Sequence, residues 1–337
     1  MFKTLSQVEP RIPISIVPTN ITLSGSYYLL TNFTGVSGTN GITITVDNVT
    51  LDLNGFALIG VAGSSNGIFA TASLQNIAVR NGTVRNWTRF GADLGNALNN
   101  QLQDLRASNN GGGGLRSGTA STLLRCVATL NTTYGLYAYN GSVVKDSTAF
   151  SNTGDGITTS FSATIADCSS YGNTGNGFVP GAGCHVHHCS ANGNTGLGIA
   201  SAGRCQIDEC EASDNTQQGI WPNDGTAIRN CTVDNNSGGG IRVGNYCSLI
   251  GNMCYGNSAF GTNAAIRVTG IANRIEANHL VSNHRALEIS SGGNLIIRNS
   301  SSGNSVTDSI TGTQIAGPDV NSANIGTSSN PHANYNF

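Results

Sequence analysis

Four segments decide how this chain folds: CSSYGNTGNGFVP (168–180), CSANGNTGLGIAS (189–201), CEASDNTQQGIWP (210–222) and CTVDNNSGGGIRV (231–243). Two more share the pattern, CVATLNTTYGLYA (126–138) and STAFSNTGDGITT (147–159), the second with Ser147 in place of the cysteine. Asn recurs at 110, 131, 152, 173, 194, 215, 236 and 257, and a Gly followed by an apolar residue recurs at 114, 135, 156, 177, 198, 219 and 240, always 21 residues apart. A strict internal period of this length marks a solenoid. The copies are rich in Gly, Asn, Ser and Thr, with short alternating apolar positions and no helix-forming run, so the coil is built of strands.

Alternation assigns directions within one coil. Cys168, Ser170, Phe178, Cys184 and Val186 point inward, and the next coils repeat this with Cys189, Ala191, Ile199, Cys205, Ile207 and with Cys210, Ala212, Ile220, Thr226, Ile228. That is three short strands per turn. The Asn column falls at a corner, where an Asn tolerates left-handed backbone and bonds its stacked neighbours. Three strands and an internal Asn ladder resemble the right-handed parallel β-helix of pectate-lyase-like proteins, in particular the carbohydrate-binding and sugar-hydrolase repeat group. The fold expected is all-β: one right-handed parallel β-helix of about 12 coils of about 21 residues, capped at both ends.

Residues 1–40 depart from the repeat. Pro10, Pro13 and Pro18 punctuate IPISIVPTNITLSGSYYLL (12–30), which reads as an N-terminal cap over an otherwise open end. The β-helix is expected over 41–306 and a C-terminal cap or tail over 307–337. Asp52 and Asn54 read as a turn-supporting pair. Trp87, Arg85, Arg89 and Phe90 fall in looser coils and are expected in loops, and Gly111–Gly114 lack the Lys and helix of a phosphate loop. An insertion of four residues lies in SAFGTNAAI after Asn257.

Charged residues make up only 10% of the chain and the formal net charge is −2, so no basic stripe exists to hold a nucleic-acid backbone. No stretch is apolar enough to span a membrane, and Met1 leads directly into polar FKTLSQVEPR, so a signal has been removed or export takes another route. The nine cysteines stand in register as inward ladders of small side chains, without CxxC spacing.

Chemistry must sit on outward columns. One reads Lys145, Ala166, His187, Asp208, Arg229; beside it run Asp146, Asp167, His188, Glu209, and His185 with Gln206. A His between a carboxylate and cations suits acid–base work, and an Arg suits a substrate carboxylate. The resemblance implies β-elimination on uronates, with His187 or Lys145 as base, Arg229 as neutraliser and Asp208 as orienter. His185 and His187 share a face but lack a third metal ligand. Calcium enters as a cofactor by resemblance to some β-helix lyases, though no outward Asp cluster forms an oxygen cage. A separate face carries Tyr137, Tyr139, Trp221, Arg242 and Arg267, suited to stacking on sugar rings and pairing with their acidic groups.

The first reading is therefore an extracellular or cell-surface protein acting on acidic polysaccharide as a lyase or epimerase. The alternatives are a non-catalytic glycan-binding or structural fibre, monomeric or trimeric as in tailspikes of this fold, and a glycoside hydrolase.

Overall fold

The computed structural model describes residues 10–71, 73–258, 263–324 and 328–336. Among these there is no helix, and the chain winds as a parallel β-solenoid of about 14 turns. It divides into two compact units, residues 1–164 and 165–337.

In the first unit one sheet stacks Thr19–Ile21, Ile42–Ile44, Ile68–Ala70, Ala92–Leu94, Leu115–Ser117, Tyr134–Ala138 and Asp155–Thr159 in parallel, each paired with the next. A second sheet already includes the segment expected as a cap: Ile12–Ile14 pairs with Gly25–Leu29, which pairs with Val49–Asp52. Residues 1–9 lie outside the described residues. Trp87 lies in the connection after the strand Ile77–Arg85, as expected, yet it does not face solvent. It is buried, donates Nε1–H to the Leu58 carbonyl at 3.2 Å, and fills the core. Gly35, Gly41 and Gly67 make room for it, since a Cβ at these positions would stand 2.4, 2.7 and 2.7 Å from the indole. Buried Asp52 accepts the Asn54 N–H at 2.8 Å and meets Arg11 and Arg80 at 3.4 and 3.3 Å.

The second unit shows the three strands of a coil as separate tracks. One runs His185–His187, Gln206–Asp208, Ala227–Arg229, Ser248–Ile250 and Arg274–Glu276; another runs Ser169–Tyr171, Ser190–Asn192, Glu211–Ser213, Thr232–Asp234 and Met253–Tyr255. The third passes through Phe178, Ile199, Ile220 and Ile241 as single bridges and widens into Ala264–Val268 and Arg285–Ile289. The inward residues Phe178, Val186, Ile199, Ile207, Ile220 and Ile228 are fully buried, as alternation requires.

At one corner, buried asparagines hand bonds along the stack. The Asn194 N–H and Nδ2 both donate to Asn215 Oδ1 at 3.0 Å, Asn215 does the same to Asn236 at 3.0 and 2.9 Å, and Nδ2 of Asn215 also reaches the Ala191 carbonyl at 3.0 Å. The left-handed backbone expected at these asparagines falls instead on the residue before each: Gly193 (φ 61°), Asp214 (φ 55°) and Asn235 (φ 53°). The asparagine turns inward to bond, so its neighbour makes the bend.

The cysteine column works in the same way. Cys189, Cys210 and Cys231 donate S–H to the Ile165, Val186 and Ile207 carbonyls at 3.6, 3.6 and 3.5 Å, and Asn252 takes over the column by donating Nδ2 to the Ile228 carbonyl at 3.1 Å. These thiols are corner donors as well as small apolar fillers. Here too the preceding residue is left-handed: His188 (φ 52°), Glu209 (φ 53°) and Asn230 (φ 51°). All nine cysteines are free and buried.

The insertion separates Asn257 from its ladder partner Asn283 by 26 residues, one more than separates Ile241 from its partner Ile266, so an extra residue follows Val268. Residues 259–262 of that insertion lie outside the described residues. The tail joins the ladder. Gln314 and Asn334 accept the N–H groups of Asn294 and Asn299 at 3.0 and 3.1 Å, and Asp308 accepts that of Leu287 at 2.8 Å.

Replacing Asn215 with Ala strands the Asn194 N–H and the Ala191 carbonyl, and is expected to cost about 2–4 kcal/mol in denaturant unfolding; a loss under 0.5 kcal/mol would contradict the ladder's role. A thiol reagent is expected to find none of the nine cysteines in native protein and all nine after denaturation. Burial pushes the Cys126 thiol up to about 12. An unfolded thiol titrates near ~8.5, so this contribution to stability is complete below that pH and is lost as pH rises towards about 12, which alkaline unfolding curves would reveal.

Candidate functional site

The outward residues of one track in the second unit hold its densest charge. His187 stands in register with Asp208, and Asp208 with Arg229, because their strands stack without slippage over buried Val186, Ile207 and Ile228. The side chains pair differently from the column. Asp208 Oδ2 lies 3.1 Å from Nε2 of His185, a diagonal neighbour, so it orients His185. Arg229 Nη1 approaches Asp208 Oδ1 only to 3.9 Å, and that oxygen is buried without a hydrogen-bond partner. The His185 and His187 rings pack at 4.6 Å between centroids. His187 Nδ1 lies 3.4 Å from His188 Nδ1, and His188 Nε2 is 2.7 Å from Glu209 Oε2, with Asp167 at 3.6 Å on its other nitrogen.

Around the corner, His188, Ser190, Glu209, Glu211, Asn230 and Thr232 line a shallow depression of about 390 Å³. Glu211 is held by the Ser190 and Ser213 hydroxyls at 3.2 and 3.0 Å. Burial first, then Glu211 and Asp214, raise the Asp234 carboxyl above its usual range. Among the described residues no group of three or more His, Cys, Asp or Glu is placed to hold a metal ion.

On the other sheet of this unit, Arg242 lies over the Trp221 ring at 4.1 Å and stands in register with Arg267. Two stacked guanidinium groups repel. One is offset by the indole face and the other by Glu288 at 3.2 Å; burial and then Arg267 lower Arg242 from its usual value. The sugar-binding candidates Trp221, Arg242 and Arg267 thus occupy a different face from His187, Asp208 and Arg229.

A family model described as right-handed β-helix region matches residues 19–187 and 158–259. The chain belongs to this right-handed β-helix family. No match is found among curated protein sequences. Among solved structures, the β-helix is similar to the A-module of the Azotobacter vinelandii mannuronan C-5 epimerase AlgE4, at 16% identity over 92% of this chain and 90% of that one, with a TM-score of 0.58. The A-module of AlgE6 from the same organism matches at 15% identity over 93% and 89%, with a TM-score of 0.56. The Dettilon tailspike protein matches at 12% identity over 83% of this chain and 60% of that one, with a TM-score of 0.50. At these identities the likeness is one of fold.

The first unit of the β-helix holds Lys145, Tyr137 and Tyr139. Lys145 ends the strand Val143–Lys145, its carbonyl accepting the Ser147 hydroxyl at 2.8 Å. Tyr137 and Tyr139 belong to a larger aromatic group than the sequence reading gathered: Phe90, Tyr134, Tyr137 and Tyr139 follow one another at centroid distances of 5.9, 5.3 and 5.1 Å. Arg116 lies over Phe90 at 4.7 Å and is gripped by buried Asp93 through two bonds of 2.7 and 2.6 Å. Register could have brought out Asp93, which faces Arg116 directly. His185 was within reach of the same reasoning, since alternation places it on the face of His187; its bond to Asp208 needs a diagonal reach that a column does not display.

Of the two tryptophans Trp221 is half-buried and Trp87 fully buried, so Trp221 reports on the outer face. Arg242→Ala should therefore change the native fluorescence, which an unstacked pair would leave unaltered. Glu211→Gln should bring the Asp234 carboxyl back down towards its ordinary value in an NMR titration, and an unmoved titration would exclude their coupling.

Proposed function

We propose that this β-helix acts on an acidic, uronate-containing polysaccharide outside the cell, with lyase or epimerase chemistry on the His185–Asp208–Arg229 face. The observation that carries the reading is Asp208, shared between an imidazole at 3.1 Å and a guanidinium at 3.9 Å, with one buried oxygen unpartnered. The buried carboxylates Asp93 and Glu276 are closed by arginine, Asp93 by Arg116 and Glu276 by Arg274 and Arg298. Asp208 holds a histidine instead.

In this reading the His185 Nε2–H donates to Asp208, which leaves Nδ1 to accept a proton and stabilises the imidazolium that results. Arg229 pairs with the uronate carboxylate and so favours loss of the proton on the neighbouring carbon. His187, stacked on His185, bounds the site. Support also comes from the likeness in fold to two mannuronan C-5 epimerase A-modules. A second reading, glycan binding without turnover, is favoured by the Trp221–Arg242 stack on the other face.

Uronate polymers incubated with the protein, with and without calcium, should gain unsaturated ends or inverted C5 centres, followed by ultraviolet absorbance and NMR. His185→Ala should lower the rate by about 10²–10⁴-fold with the fold intact by circular dichroism. Turnover undiminished in that variant removes this site from the chemistry. Shortened chains without unsaturation would make the protein a hydrolase, and binding without any turnover would leave the glycan-binding reading.

A further inference from the structure

We infer that the site is one-sided, and that it therefore cleaves uronates whose C5 hydrogen and C4 oxygen lie on the same side of the ring, by syn elimination. The inference rests on the reading above and names the substrate's stereochemistry and the reaction's outcome.

His185, His187, Asp208 and Arg229 are all outward residues of neighbouring parallel strands, so their functional atoms approach a substrate from one direction. The coils that carry them have no spare length. The corner asparagines from Asn173 to Asn257 stay 21 residues apart, so no insertion is available to rise over the sheet. Each strand enters and leaves through a tight left-handed bend: Gly183, Arg204 and Gly225 on one side (φ 69°, 62° and 73°), His188, Glu209 and Asn230 on the other (φ 52°, 53° and 51°). The side chains of His185 and Arg229 keep 42% and 46% of their surface open. Among the described residues of this unit the site is a face rather than a cleft.

Epimerisation at C5 removes a proton from one side of the ring and delivers one to the other, which calls for acid–base groups on both sides. Anti elimination likewise separates the base from the leaving oxygen. Syn elimination needs only one side, and a single imidazole can complete it. His185 Nδ1 takes the C5 proton, the electron pair of that C–H bond forms the C4=C5 double bond, and the C4–O bond breaks with its pair remaining on oxygen. The imidazolium then gives the same proton to that oxygen and returns to its starting state. The ring must present the C5 hydrogen and the C4 oxygen together, as in D-mannuronate and D-glucuronate. In D-galacturonate and L-guluronate they lie on opposite sides.

The test compares 1,4-linked oligomers of these four uronates with the full chain, reading unsaturated ends by ultraviolet absorbance and recovered polymer by NMR in deuterium oxide. The mannuronate or glucuronate oligomer should be cleaved at least about 100-fold faster than either of the others, since a base on the wrong side cannot return its proton to the leaving oxygen. His185→Ala should abolish that cleavage while circular dichroism stays unchanged. Equal or faster cleavage of galacturonate or guluronate would overturn the one-sided assignment and leave uronate lysis standing. Inverted, deuterated C5 centres would overturn it in favour of a two-sided epimerase. Silence on all four oligomers would overturn the parent reading itself.

Discussion

Every coil of this protein has to turn corners in its interior, and each corner leaves backbone groups that water cannot reach. A buried N–H without an acceptor costs roughly 1–3 kcal/mol, so the corners admit only side chains that can serve as partners. Asparagine meets the demand most fully, accepting two bonds from the coil before while donating to a carbonyl and to the next asparagine. A thiol meets part of it, which explains why cysteine and asparagine share one column. The same requirement shapes the tail, whose Asn, Gln and Asp side chains take the place of a further coil.

The corners also decide where chemistry can sit. With inward positions taken by packing and amide ladders, titratable groups are confined to the outer columns. Each of those columns places identical positions one strand spacing apart, about 4.8 Å, so a charge must be answered by its neighbours above, below or on the diagonal. Asp52, Asp93 and Glu276 are answered by arginines and read as structural ion pairs. Asp208 is answered by His185 and faces Arg229 across a wider gap. This difference in partner, more than the amount of charge, separates a candidate acid–base group from the charges that make a polar surface.

The two outward faces of the second unit differ in kind. On one, Trp221, Arg242 and Arg267 form an aromatic–cationic stack that suits holding an acidic sugar chain. On the other, imidazole and carboxylate are coupled. On the proposed function, a glycan lying flat along either face would meet only one of these sets, so binding and turnover would be separable.

The 21-residue period and the alternation within it determined, without any coordinates, the parallel solenoid, its three strands per coil, its inward residues and the stacking of His187, Asp208 and Arg229. These follow because register in a solenoid is a matter of counting: equal coil lengths bring equal positions together. Counting failed where geometry depends on side-chain reach or on local backbone. The left-handed residue proved to be the one before each corner asparagine, because that asparagine must turn inward to bond. Trp87 lay in the core, because three glycines from separate coils open a space that no single segment reveals. Asp208 bonds the diagonal His185, because a carboxylate on a pleated face reaches a diagonal neighbour as readily as the one in register, and only the placed atoms show that bond.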